Sequence, residues 1–164
     1  MISLFVEIVS KHGNLHLSIP LPGHGEPDSD EMAFLKELAE WQQVNSEAIQ
    51  GTRPWKIYWE GPSTQAEQIG SYQLSKVKFG AADIRFTTKN GTLYAIALGW
   101  PEDGKVLIKS LVENSPEFPR PVRKVELLGA KTELKWTRGA QGLEIQLPDA
   151  PPCKYAFSVR ILAS

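Results

Sequence analysis

The chain has 164 residues, a formal net charge of −1 and one cysteine. That length suits one domain, or one domain with an appended piece of another, and it supports a core, since about 150 residues bury roughly 70% of their unfolded surface. The charge gives no ground for a nucleic-acid or anionic-membrane partner, and a lone Cys153 excludes a disulfide framework.

The start, Met1-Ile2-Ser3-Leu4-Phe5-Val6-Glu7, has no basic n-region and meets Glu7 early, so it does not read as a secretory signal. No uncharged apolar run approaches the roughly 20 residues that span a bilayer. The expectation is a soluble chain, cytoplasmic as encoded. Residues 2–12 predict a helix with Leu4, Phe5, Ile8 and Val9 on one face, and Gly13 as its left-handed C-terminal residue. Asn14–Ile19 follows as a strand, Leu15, Leu17 and Ile19 alternating with Asn14, His16 and Ser18. Pro20, Pro22, Gly23, Gly25 and Pro27 make a loop. Asp28 with Glu31 has capping-box spacing and opens a second helix with a stripe of Met32, Leu35, Leu38 and Ala39. Gly51 ends it, Pro54 holds the exit extended, and Trp55 is expected to anchor that exit on an apolar surface.

The second half changes period. Asp83–Lys89, Asn90-Gly91 and Thr92–Leu98 predict a hairpin with a type I′ turn, Phe86 opposite Ala95 and Ile84 opposite Ala97. Tyr94, Ile96 and Leu98 add an apolar second face, so that strand is expected to be covered on both sides. Further strands are predicted at Lys105–Leu111, Arg123–Gly129, Leu143–Leu147 and Tyr155–Leu162, the last with Tyr155, Phe157, Val159 and Ile161 inward. The fold class is mainly β with an α/β N-terminal piece: an antiparallel β-sandwich over residues 72–164, a linker over 56–71, and a helix–strand–helix unit over 1–55.

Val6 to Leu15, Asn45 to Trp55, Phe86-Thr87-Thr88-Lys89, Leu98-Gly99-Trp100-Pro101, and Val125-Glu126-Leu127-Leu128-Gly129 through Tyr155-Ala156-Phe157 resemble the C-terminal part of α-L-fucosidases of glycoside hydrolase family 29. Members often carry leucine where His16 stands and asparagine where Ser18 stands. The resemblance implies a (β/α)₈ barrel with the active site, followed by a β-sandwich, residues 1–55 being the end of that barrel. A whole barrel takes roughly 250 residues. It also implies retaining chemistry by an aspartate nucleophile and an acid/base carboxylate, both ahead of the matching positions. The function expected is therefore a C-terminal accessory module, for packing or carbohydrate contact. The alternative is a small active α-L-fucosidase that builds its site from other carboxylates or across an oligomer interface, and a third reading is an inert truncation product.

Retention needs two carboxyl groups about 5 Å apart. The candidates within the chain are Glu60, set among Tyr58 and Trp59, and the adjacent Glu102 and Asp103 beside Trp100. Glu60 reads first as a linker residue accepting backbone hydrogen bonds, and Asp103-Gly104 as a turn tip, ahead of any catalytic role. Glu26 and Asp28 follow the predicted barrel strand, but Asp28 already has a capping role. Trp59 and Trp100 are candidate sugar platforms, though tryptophans mostly pack in cores. His12, His16 and His24 lack ligand spacing, so no metal and no cofactor is expected. The partners expected are a fucosylated carbohydrate and a second copy of the chain, meeting through residues 1–50.

Overall fold

A computed structural model describes residues 1–63 and 77–164. Helix α1, Ile2–Ser10, buries Ile2, Val6, Glu7 and Ser10. The expected face of Leu4 and Ile8 is only half-buried. Apolar periodicity counts Glu7 as polar and so points the helix away from the side it actually buries. His12, with φ 65°, takes the left-handed position instead of Gly13. Gly13 is required for close approach: a Cβ there would lie 2.8 Å from Ile8 Cγ2 and 3.0 Å from the Ile8 carbonyl oxygen.

Asn14–Ile19 forms no strand. Leu15, Leu17 and Ile19 are half-buried and alternate with exposed Asn14, His16 and Ser18, but no strand among the described residues pairs with them. The alternation is present; the ladder that defines a strand is not. Helix α2, Ser29–Asn45, is capped by Asp28, whose Oδ1 accepts from the amides of Asp30 (2.9 Å) and Glu31 (3.1 Å). Its buried residues are Trp41 and Asn45, with Leu38 packed beside them, whereas Met32 is 53% exposed and Ala39 also faces water. Trp41 fixes the helix by donating its indole N–H to the Ala156 carbonyl at 2.7 Å.

Gly51, at φ 68°, turns the chain into β1, Arg53–Glu60. Residues 56–60, expected in a linker, are therefore an edge strand, where Pro54 does no damage to a ladder. Residues 64–71 of that linker and the expected sandwich start near Tyr72 lie outside the described residues. The remaining strands are β2 Ile84–Lys89, β3 Thr92–Ala97, β4 Lys105–Ile108, β5 Val122–Leu127, β6 Lys135–Gly139, β7 Gly142–Gln146 and β8 Phe157–Ala163. Among the described residues they form a five-stranded sheet, β1-β2-β3-β8-β5, and a three-stranded sheet, β4-β7-β6, with antiparallel pairings throughout. Phe86 lies opposite Ala95 and Ile84 opposite Ala97, in the expected register. Asn90 (φ 50°) and Gly91 (φ 78°) both carry the positive φ of a type I′ turn.

Between the sheets lies the larger core, with Phe86, Ile108, Leu143, Ile145, Phe157 and Ile161 buried. The opposite face of the larger sheet presents Tyr94, Ile96 and Leu98 to Ile2, Val6 and Trp41 of the helices. The sheet is thus covered on both sides. Trp55 anchors the exit as expected, packing edge-on against Phe86 at 5.2 Å at the border of the inter-sheet core, while Trp41 anchors the helix–sheet seam. Tyr155 is not inward: it is 50% exposed, at φ 69°, and its hydroxyl donates to Glu37 Oε2 at 2.6 Å.

Three polar contacts lock the layers. Arg85 Nε, on the helix-facing side of β2, donates to Glu7 Oε2, and both side chains are almost fully buried. The carboxylate of buried Asp83 accepts from the Ser63 amide (2.9 Å), the Ser63 hydroxyl (3.0 Å) and the Gly80 amide (2.8 Å), tying the end of β1 to the approach of β2. Arg138 of β6 donates to four backbone carbonyls along residues 111–120.

Candidate functional site

Glu60 ends β1, next to Gly61, whose φ of 130° brings the chain hard against Ala82 and Asp83. From there its carboxylate crosses to the other sheet. Oε1 accepts from the Lys109 amide at 2.8 Å, and Oε2 accepts from the Ser110 amide at 2.8 Å and from the Ser110 hydroxyl. It therefore caps the short 3-10 turn Lys109–Leu111 that follows β4, satisfying amides that such a turn leaves orphaned. Its two oxygens are committed to three donors.

A cavity of about 660 Å³ opens beside it. Glu60 and Asp103 both line that cavity, together with Ile84, Val106, Lys105 and Lys109. The fold thus brings two of the three candidate carboxylates to one wall. Asp103 Oδ1, however, accepts from the Lys105 amide at 3.1 Å, the side-chain-to-backbone bond of an Asx turn whose tip is Gly104 at φ 67°. Glu102 is exposed on the same turn and does not line the cavity. Both carboxylates hold backbone: Glu60 the Lys109–Leu111 turn, and Asp103, through Oδ1, the turn at Gly104.

The aromatic candidates are also engaged. Trp100 lies edge-on to Phe157 at 4.7 Å and packs against the inter-sheet core. Trp59 is half-buried on β1, edge-on to Tyr58 at 6.4 Å. His12, His16 and His24 are exposed, and among the described residues no three His, Cys, Asp or Glu side chains could hold a metal ion together. No helix among the described residues is long and apolar enough to cross a membrane.

A second polar group sits on the helix side of the larger sheet. Glu47 Oε1 accepts from the Tyr94 hydroxyl (2.8 Å) and from Arg160 Nη1 (3.0 Å), while Arg160 also reaches Glu126 Oε2 through Nε (3.0 Å). Burial pushes Glu47 up, but the Tyr94 and Arg160 hydrogen bonds outweigh it and hold the carboxyl below its ordinary value. Lys124, with help from Arg160, lowers Glu126. Burial and the Glu47 carboxylate push the Tyr94 phenol up to about 12. The residues form a charge ladder across β3, β8 and β5, facing the helices.

Residues 79–162 match the family model of the α-L-fucosidase C-terminal domain. The chain belongs to this family. Human tissue α-L-fucosidase is 29% identical to it over 166 residues, which covers 98% of this chain and 30% of the human protein. The mouse tissue α-L-fucosidase is 31% identical over 153 residues, covering 93% of this chain and 28% of that one. The crystal structure of Thermotoga maritima α-fucosidase superposes with a TM-score of 0.73 at 23% identity, over 98% of this chain and 33% of that one. Isoenzyme 1 of Paenibacillus thiaminolyticus α-L-fucosidase gives 0.67 at 20%, over 97% and 32%. At those identities the superpositions speak for the fold.

The chain spans about 30% of the length of the human fucosidase it matches. Because the alignment covers 98% of this chain, the α-L-fucosidase likeness extends ahead of residue 79 to the helices and β1. The chain corresponds to the C-terminal part of an α-L-fucosidase of glycoside hydrolase family 29. The resemblance was legible in the sequence. The contacts that organise the domain, Glu7–Arg85, Asp83–Ser63 and Arg138 with its loop, were not, because each joins residues 18 or more apart in sequence.

Proposed function

We propose that this chain is the accessory C-terminal module of an α-L-fucosidase-type glycoside hydrolase, packing against a (β/α)₈ barrel that supplies both catalytic carboxylates. One observation carries the reading. Of the four exposed large hydrophobics among the described residues, three (Met1, Leu21 and Met32) lie within the first 32 positions, around a segment, Asn14–Ile19, that pairs with no strand. This is the apolar surface and open backbone that a neighbouring barrel would cover. Residues 1–55 then take the place of the barrel's end, and the commitment of Glu60 and Asp103 to backbone fits a module that does no chemistry itself.

Turnover of a chromogenic α-L-fucoside by the purified chain tests this. The expected rate is background, rising only when a barrel polypeptide from a relative is added. Turnover by the chain alone that survives repurification and disappears in Glu60→Ala, or when Glu102 and Asp103 are replaced, would establish the small active enzyme instead.

A further inference from the structure

At the end of the sandwich that carries the Asn90-Gly91 turn, apart from the Glu60 cavity, lies a cleft of about 340 Å³. Trp55 lines it on one side, edge-on to Phe86 at 5.2 Å and to Phe118 at 6.4 Å, so two ring contacts fix the indole. The loop from Val112 to Pro121 adds Glu117, Phe118, Pro119 and Arg120 to the lining. Arg138 holds that loop from below, Nε donating to the Leu111 carbonyl (3.0 Å), Nη1 to Arg120 (2.8 Å), and Nη2 to Val112 (2.9 Å) and Phe118 (2.7 Å). Its guanidinium also lies over the Phe118 ring at 5.4 Å. A loop with so many carbonyls on one side chain is fixed before any ligand arrives, which is the arrangement of a binding loop on a rigid scaffold.

The rim is polar. Thr88, Thr92, Glu117 and Arg120 stand around the indole. Arg120 Nη2 donates to the Gly91 carbonyl at 3.3 Å, and Glu117 pairs with Lys56 at 2.8 Å, both side chains reaching water. The volume falls in the usual range for small-ligand sites, roughly 300–1,000 Å³, and the apolar wall with a few convergent polar groups fits their composition. That composition also selects the ligand. An anion would meet Glu117, and a purely apolar ligand would strip water from Arg120 and the threonines without replacing it. A pyranose ring offers an apolar C–H face for the indole and hydroxyls at its edge for the rim, and it carries no charge.

We propose that this cleft is a saccharide-binding subsite taking one neutral pyranose unit of a glycan. It rests on the glycoside-hydrolase reading above only for the ligand class, since the test involves neither turnover nor a barrel. Saturation-transfer NMR is run on the full chain with methyl α-L-fucopyranoside, methyl β-D-galactopyranoside and methyl β-D-glucopyranoside. Transfer to at least one is expected, with a Kd on the order of 1 mM. Arg120→Ala should weaken it about tenfold, the loss of one good hydrogen-bond donor. That variant leaves the loop intact, because Arg138 binds the backbone carbonyl of residue 120 and not its side chain. Glu102→Gln, away from the cleft, should bind as the parent does. No transfer to any of the three glycosides, transfer undiminished in Arg120→Ala, or equal loss in Glu102→Gln would overturn the assignment.

Discussion

Glu7→Ala is the most informative single change in this fold. Glu7 and Arg85 side chains are 2% and 1% exposed, in the seam between α1 and β2. Besides Glu7, Arg85 has among the described residues the Ile84 carbonyl at 3.0 Å and the face of Phe79 at 5.3 Å, neither of which neutralises a charge. Lys11 pairs with the other Glu7 oxygen at 2.6 Å but is 31% exposed and can return to water. A guanidinium cannot shed its proton at any accessible pH. Removing Glu7 therefore strands a buried cation, which costs about 3–5 kcal/mol. Against a total of roughly 5–15 kcal/mol for a domain, that is a large fraction. The same reasoning requires Glu7→Ala with Arg85→Met to be more stable than Glu7→Ala alone, since the stranded charge is gone. Urea titration of the wild type, both single variants and the double variant measures the cycle. A loss under about 1 kcal/mol in Glu7→Ala, or a double variant that costs the sum of the singles, would show that the pair is not an enclosed unit.

Trp41→Phe keeps most of the buried ring but leaves the Ala156 carbonyl only the weak Cys153 thiol donor at 3.4 Å, and should cost about 1 kcal/mol by denaturant titration. At Gly91 an added Cβ meets no atom within 4 Å, so the main penalty of Gly91→Val is backbone strain at φ 78°, about 1–2 kcal/mol, read as a fall in Tm. The charge ladder sets the response to pH. Glu47 and Glu126 are lowered, so their contribution is complete above the unfolded carboxylate value of about 4.3 and is lost as pH falls through the folded values. Tyr94 is raised to about 12, so its contribution holds below the unfolded phenol value of about 10 and is lost as pH rises through 12. Arg160→Met should flatten the acid limb in a series of urea titrations, and ultraviolet difference absorbance should show one tyrosine ionising near 12.

What could be read in advance follows from the range of each signal. The register of the β2–β3 hairpin was legible because it depends on one local turn, Asn90-Gly91, and on alternation of period two; each strand is one residue shorter than expected. The double covering of β3 was legible too, since Tyr94, Ile96 and Leu98 repeat on its second face. The helix faces were misjudged where a polar residue is buried with a distant partner: Glu7 needs Arg85, and Asn45 lies beside Cys153 at 3.4 Å. Strand β1 was hidden because Pro54 and a run of aromatics read as an exit, although an edge strand accepts both. Strand β6 carries Lys135, Thr137 and Arg138, and only Trp136 packs against the core, which leaves a weak apolar signal. At the candidate site the residue types were right, but nothing local in Glu60 announces that Lys109 and Ser110 hold it.

The remaining prediction concerns what the N-terminal layer does when no barrel is present. Among the described residues, the backbone of Asn14–Ile19 makes no hydrogen bond to any other segment, and Leu15, Leu17 and Ile19 are only half covered. Met1, Leu21 and Met32 add side chains that are 51%, 57% and 53% exposed. Open backbone with an apolar alternating face is the template on which strands add. A second copy supplies the same template, and antiparallel pairing about a two-fold axis satisfies both at once, the commonest closed arrangement. The isolated chain is therefore expected to be a homodimer through residues 1–50. Deleting those residues is not the right control, because Ile2, Val6 and Trp41 cover the second face of the larger sheet. Leu17→Lys is better: it places a charge on the pairing segment and leaves Ile2, Val6 and Trp41 in place. Light scattering at high micromolar concentration should give a dimer for the wild type and a monomer of unchanged circular dichroism for Leu17→Lys. Since the barrel and the second copy claim the same surface, adding barrel polypeptide should convert the dimer into a one-to-one complex. A wild-type chain that stays monomeric would remove the open-edge premise from both readings, because the layer would then have no need of a partner.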